Sequence, residues 1–290
     1  MSRLTYAVVS PVRDEAQTLR RLGEALCAQT VLPSTWVIVD NGSDDGTGSV
    51  ADELAAAFAW ITVMRVGGEQ TPVPGGPIVR AFHAGLAALE HDVDVVVKLD
   101  ADVTFATDYF ARTLEAFERD PLLGITGGNC HELEDGVWRP IRVSGDHVRG
   151  AVRCYRSTLL RQILPLPERT GWDTIDEFLA AARGWAVRVD TTLRFDHHRA
   201  VGARDGGRAR RWVAKGDAAH FVGYRPFYLV LRALYQARRD PYAVAMVWGF
   251  GRAALEGRET HPDVAARTLL RREQRLRSIP RRFTRRSAAA

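Results

Sequence analysis

The feature that most constrains this fold is an alternation. Short apolar, β-branched runs recur at Tyr6 to Ser10, Trp36 to Val39, Ile61 to Val66 and Asp94 to Leu99, with helical patterns between them. Leu19, Leu22 and Leu26 fall at spacings of three and four, and Ile78, Val79, Phe82, Leu86 and Leu89 trace a second helix face. A run that is apolar at consecutive positions is buried on both faces, the condition of a parallel sheet covered by helices. Alternating strands and helices over the first ~100 residues therefore predict parallel βαβ units with their loops gathered at one edge. The chain has 290 residues, enough for one large α/β domain or a domain with appended helices.

In such sheets ligands sit beyond the carboxyl ends of the strands. No GxGxxG follows the first strand and no GxxxxGK[ST] occurs, which argues against a dinucleotide-binding Rossmann domain and a P-loop. The second strand instead ends in Asp40-Asn41-Gly42-Ser43-Asp44-Asp45-Gly46-Thr47, a turn dense in Gly, Asn and Asp. The fourth drops from Lys98-Leu99 into Asp100-Ala101-Asp102. Packing does not call for these carboxylates. Either the first ends the strand and the second caps the next helix, or the acid-x-acid pair holds a divalent ion against a substrate's phosphates.

Further along, Gly171-Trp172-Asp173-Thr174-Ile175-Asp176-Glu177 opens a helix running to Gly184, where first-turn acids suit the helix dipole. Phe195-Asp196-His197-His198-Arg199 ends the compact part, and Gly202 to Gly216, rich in Gly and Arg, reads as a mobile basic loop. Phe227, Val230, Leu231 and Leu234 share one helical face, and a second apolar segment runs from Tyr242 to Leu255. These helices pack on the core or lie on an anionic membrane surface.

Charge is unevenly spread. The net charge is +5, but Arg267 to Arg286 holds nine Arg and one Glu, a local +8 that leaves −3 elsewhere. The body is therefore not a nucleic-acid surface by charge. Cys27, Cys130 and Cys154 are widely spaced without CxxC, as in a reduced compartment. Met1-Ser2-Arg3-Leu4 enters the first strand without a signal-peptide h-region, and the longest apolar stretch, Tyr242 to Gly251, falls short of the ~20 residues of a membrane span. A cytoplasmic protein, peripheral at most on the inner face of the membrane, is the expectation.

Val9-Ser10-Pro11-Val12-Arg13-Asp14-Glu15, Val39 to Thr47 and Leu99-Asp100-Ala101-Asp102, in this order and near these spacings, resemble the family-2 glycosyltransferases of GT-A fold. The resemblance covers roughly residues 5 to 200; the remainder resembles the tail of bacterial members of cell-surface polysaccharide assembly. It implies an α/β, Rossmann-like fold with a mostly parallel central sheet flanked by helices and with C-terminal amphipathic helices. The expected divisions are a catalytic domain over 1–200, a basic mobile loop over 201–225 and a helical region with an Arg-rich tail over 226–290.

The activity so implied is inverting sugar transfer from a nucleotide-sugar, UDP- or GDP-linked, to a hydroxyl of an acceptor glycan or lipid-linked sugar, with Mg2+ or Mn2+. Pro11, Arg13 and Glu15 would line the nucleoside pocket and Asp40 would bond the base. Asp100 would face the ribose or the metal, Asp102 would bind the metal, and His197 would meet the metal or diphosphate with Arg199 beside a phosphate. The base that deprotonates the acceptor would be Asp173, eleven residues before Gly184, with Asp176 as its rival; Trp172 stands where the family carries Glu. Arg204 to Lys215 would close over the diphosphate. The competing readings are a soluble natural-product or polyprenyl phosphate acceptor, a nucleotidyltransferase, and a non-catalytic nucleotide-sugar-binding module.

Overall fold

The computed structural model describes residues 4–67, 75–141, 147–198 and 207–275. The first half of the chain runs β1 (Tyr6–Val12), α1 (Ala16–Cys27), β2 (Thr35–Asp40), α2 (Thr47–Ala57), β3 (Ile61–Arg65), α3 (Gly76–Ala87) and β4 (Val95–Leu99). It continues through β5 (Val103–Phe105), α4 (Tyr109–Arg119), β6 (Leu123–Glu134), β7 (Val137–Pro140), β8 (Val152–Arg156), α5 (Ser157–Ile163), α6 (Trp172–Ala182) and β9 (Ala186–His197). The last part is helical: α7 (Arg208–Val222), α8 (Pro226–Ala237), a 3-10 turn (Pro241–Val244), α9 (Ala245–Leu255) and α10 (Val264–Glu273).

Among the described residues one sheet runs in the order β3-β2-β1-β4-β8-β6-β9-β5, with β7 paired to β6. The strands β3, β2, β1 and β4 are parallel, as the consecutive apolar runs predict. From β8 onward directions mix: β8 runs antiparallel to β4 and β6, whereas β9 runs parallel to β6. Alternate residues of the parallel strands feed two cores. Val8, Ile38, Val95 and Val97 face Leu19 and Leu22 of α1 and Phe110 and Phe117 of α4, while Val9, Val37, Val39 and Val96 face Val79 and Phe82 of α3 and Ile175 of α6. Two helical layers thus sandwich the sheet.

The C-terminal helices join the second layer. Ala266 and Leu270 of α10 enter its core, and α10 lies on α6. Arg169 pairs with Asp217 of α7 at 2.6 Å. The structure departs from the expected loop at 201–225: residues 201–206 lie outside the described residues, but Arg208–Val222 is helical. Trp212, Ala219 and Phe221 bury one side of α7, and Gly216 and Gly249 let α7 and α9 meet so closely that a Cβ on either would strike the other backbone at 2.0 Å. Arg199 and the Arg-rich segment beyond residue 275 also lie outside the described residues.

Candidate active site

Strand register gathers the predicted residues at one edge. Val12 pairs with Asp40, Asp40 with Arg65, and Val9 with Lys98. Carrying the last register two residues further brings Asp100 level with Pro11, so the loops leaving β1, β2 and β4 open side by side.

The β2 turn is held by its own acids. Asp40 accepts hydrogen bonds from the Ser43 amide at 3.0 Å and the Ser43 hydroxyl at 2.6 Å. Asp45 accepts from the Thr47 amide at 3.0 Å and from Ala16 at 3.1 Å; burial pushes its carboxyl up, but the bonds from Thr47 and Ala16 together outweigh it and hold the group below its ordinary range. Gly46, at φ +91°, makes the left-handed turn into α2 that a side chain would strain. The result is a cleft of about 380 Å3 lined by Asp40, Gly42, Ser43, Gly46, Arg65 and Val66. Glu15 and Arg13 sit next door. Glu15 is buried, its amide bonded to Thr47 at 2.7 Å and its carboxylate to Thr18 at 2.6 Å, so it ties the β1 loop to the β2 turn. Arg13 lies 3.8 Å from Asp14 and is partly exposed beside Pro11.

Asp102 is not a helix cap. The residues after it form β5, which pairs with β9, and its carbonyl accepts from His198 at 2.8 Å. This pairing carries His197 to Asp102: Nε2 lies 3.2 Å from Asp102, while Nδ1 lies 3.2 Å from Glu132. Burial opposes charge on this ring, but the two carboxylates outweigh it and raise its pKa to about 9. Asp100, partly exposed, takes its counter-charge from Lys98, whose buried ammonium also donates to the Gly150 carbonyl at 2.9 Å. Burial raises the Asp100 carboxyl, Lys98 opposes this, and the Asp102 charge adds to it.

Gly150 connects this pair to α6. A Cβ there would lie 3.2 Å from the Trp172 ring and 3.5 Å from Asp173 Oδ2, and Lys98 sits 5.6 Å from the same ring. Gly171, at φ +97°, turns the chain into α6 and leaves Asp173 in its first turn, about a third exposed. Asp176 faces the other way. It is fully buried and takes a two-pronged bond from Arg153, at 2.9 and 2.7 Å, and a third from the Tyr155 hydroxyl at 2.6 Å. Burial lifts its pKa to about 6, with Arg153 pulling down and Glu177 pushing up. No side of this carboxylate is left for an acceptor hydroxyl, so the structure leaves Asp173 as the exposed candidate base. Next to it, His147 lies 3.9 Å from Asp173 and 3.1 Å from Glu177, while Arg153 also reaches Glu177 at 3.0 Å and the Asp173 carbonyl at 2.9 Å.

Lys98, Glu132, His147, Gly150 and Arg153 are not among the predicted site residues. A Lys inside the otherwise apolar Val95–Leu99, and Arg153 between Val152 and Cys154 in Val152–Arg156, are the signal that could have found two of them.

Whether a divalent ion suits this place turns on its donors. Asp100 and Asp102 are hard oxygen ligands two residues apart, and the upward push of Asp102 on Asp100 shows two negative charges crowded together. Among the described residues no three His, Cys, Asp or Glu groups have the geometry of a closed metal cage. The pair therefore fits an ion that takes its other ligands from phosphate and water.

Residues 7–143 match the glycosyl transferase family 2 domain. Solved structures share the fold. The mannosyltransferase PcManGT from Pyrobaculum calidifontis, in complex with GDP-Man and Mn2+, aligns with a TM-score of 0.58 at 18% identity over 92% of this chain and 79% of its own. GalNAc-T7, with UDP, GalNAc and Mn2+, aligns with a TM-score of 0.61 at 11% identity, over 89% of this chain and 56% of its own. TarS of S. aureus gives 0.53 at 15% identity, over 76% of this chain and 40% of its own. Over residues 7–143 this chain thus carries a glycosyl transferase family 2 domain, set in a GT-A fold.

Proposed function

We propose that this glycosyltransferase moves a sugar from a UDP- or GDP-linked donor, with inversion, onto a hydroxyl of a glycan or lipid-linked sugar. Its task would lie in cell-surface polysaccharide or glycolipid synthesis, on the inner face of a membrane. The observation that carries the reading is the continuity from Asp100 to Asp173: Lys98 bonds both Asp100 and the Gly150 carbonyl, and a Cβ on Gly150 would lie 3.5 Å from Asp173 Oδ2.

The cleft at Asp40 holds the nucleoside, with Asp40 bonded to the base; Pro11 and Arg13 reach toward it from the neighbouring β1 end, where Val12 pairs with Asp40. Asp102 and Asp100 would hold Mg2+ or Mn2+, an ion that would neutralise charge on the diphosphate leaving group. His197 orients Asp102 from one side as Glu132 holds its far nitrogen. Asp173 takes the proton of the acceptor hydroxyl as it attacks the anomeric carbon, from the face opposite the leaving group. His147 and the Arg153–Glu177 pair keep Asp173 in place from behind. Arg199 and the 204–215 segment were expected near the diphosphate; residues 199–206 of that stretch lie outside the described residues.

The GDP-Man, UDP and Mn2+ in the related structures support a nucleotide-sugar and a divalent ion. The test is a panel of nucleotide-sugars with Mg2+ or Mn2+, scored for nucleoside diphosphate release by the wild type and Asp102→Ala. Release with one donor, lost in the variant and on chelation, is expected. Release untouched by both would defeat the metal-site reading.

A further inference from the structure

Two helices break the rule that a surface helix turns its polar side outward. In α8, Leu229 and Ala233 are buried, and the opposite face carries Phe227, Val230, Leu231 and Leu234, with Leu234 58% exposed. In α9, Met246, Gly249 and Ala253 face inward, while Trp248 and Leu255 stand outward at 65% and 89% exposure. Between them the 3-10 turn exposes Tyr242 and Val244, and α8 rests against this turn and against α9. Helices apolar on both faces belong inside a structure or against another apolar phase.

The charges around these faces identify that phase. From residue 218 to residue 255 the chain has five Arg and a single acid, Asp240. That acid is spent inside the fold, accepting from the Trp212 indole at 2.8 Å and the Tyr242 amide at 3.1 Å. Arg238 and Arg239 are exposed at the end of α8, Arg238 lying 5.5 Å from the Tyr235 ring. The following segment, Arg267 to Arg286, adds its local +8. Outward Leu, Val and Phe, aromatic Trp and Tyr beside them and Arg around them form the composition of a face that lies in the headgroup region of an anionic bilayer. A second copy of this chain is the poorer occupant, because the same face on a partner would bring more Arg and its single acid, Asp240, is already engaged by Trp212 and Tyr242.

We propose that the outer faces of α8, the 3-10 turn and α9 form a docking surface for an anionic lipid bilayer, with Arg238 and Arg239 at its edge. Among the described residues no helix is long and apolar enough to cross a membrane, so the contact is one of lying on the surface. The inference deepens the proposal of a membrane-presented acceptor but stands on no part of the donor site.

The test is flotation of the full chain with phosphatidylcholine vesicles, with and without phosphatidylglycerol. Flotation with the anionic vesicles is expected, reduced at least ~10-fold in Leu231→Glu/Leu234→Glu and in Trp248→Glu, because each variant puts a charge where an apolar group would enter the lipid. Both sites are exposed, and unchanged circular dichroism and nucleoside diphosphate release show that the fold and donor site persist. Absence of flotation, or flotation unaltered by both variants and abolished by removing residues 276–290, overturns the proposal. So does a wild-type dimer by light scattering that the variants convert to monomer without any lipid binding. Loss of diphosphate release with flotation intact would count against the donor-site reading and leave this surface standing.

Discussion

Asp173 and Asp176 lie on one helix turn, and exchanging each for Asn separates the base from the scaffold. In Asp176→Asn the fully buried Arg153 keeps at most one of its two bonds to this side chain and loses the negative charge that pairs it. Stranding one member of a buried ion pair costs roughly 3–5 kcal/mol. Arg153 keeps Glu177 at 3.0 Å and the Asp173 and Val148 carbonyls, which argues for the lower end, about 3 kcal/mol. At ~2–4 °C per kcal/mol for a chain of this size, the melting temperature falls by about 6–12 °C. Turnover per folded molecule then stays within about tenfold, since only a base in the transition state carries the ~10²–10⁴-fold of proton transfer. Asp173→Asn gives the reverse. Its carboxylate is a third exposed in the first turn of α6, so the lost helix-dipole contact costs about 0.3–1 kcal/mol, whereas turnover falls ~10²–10⁴-fold. Differential scanning fluorimetry beside nucleoside diphosphate release measures both. An Asp176→Asn protein that melts like the wild type and turns nothing over refutes the reasoning and makes Asp176 the base.

Lys98→Met removes the buried ammonium that Asp100 and the Gly150 carbonyl share; a loss of about 1–3 kcal/mol and a fall in donor turnover are expected, read by melting and by diphosphate release. His147 is raised above its ordinary 6.5 because Glu177 and Asp173 outweigh its burial. A folded value above the unfolded one means that its stabilisation is full below pH 6.5 and is lost as pH rises through the folded value, so the gap in melting temperature between wild type and His147→Gln closes on the alkaline side. Asp40→Asn preserves the oxygen that Ser43 bonds and removes the charge, so the fold should melt within ~1 kcal/mol of wild type while the donor KM rises about tenfold. Equal KM values for wild type and this variant would remove Asp40 from base recognition.

The parallel half of the sheet was legible because Tyr6 to Ser10, Trp36 to Val39 and Val95 to Leu99 are apolar at consecutive positions, a pattern that few environments satisfy. The other half was less so. Val103–Phe105 is three residues long, too short to carry a period, yet its pairing with β9 shows that Asp102 caps no helix. α7 looked like a loop because Gly and Arg dominate its start, whereas its helix is stabilised by Trp212 and by the close approach of Gly216 to α9, both contacts with distant segments. Asp176 shows the same limit. Nothing in Trp172 to Glu177 distinguishes an acid that faces solvent from one that faces an arginine 23 residues earlier in the chain, because that difference exists only after β8 and α6 have packed.

The placement of the cations gives the acid pair its meaning. Lys98 is spent on Asp100 and on the Gly150 carbonyl. His197 has Asp102 on one nitrogen and Glu132 on the other. Lys98 and His197, the two cations bonded to the pair, are thus held by partners within the protein, and a nucleoside diphosphate entering beside Asp100 and Asp102 would add negative charge where one carboxylate already raises the other. A donor bound there needs a cation that arrives with it, and two hard carboxylate groups favour a divalent one. The prediction is reciprocal: nucleoside diphosphate should raise the affinity for Mn2+ by the same factor by which Mn2+ raises that for the nucleotide. Titration calorimetry in both orders measures the two factors, and tight nucleotide binding that ignores Mn2+ would break the argument at its electrostatic step.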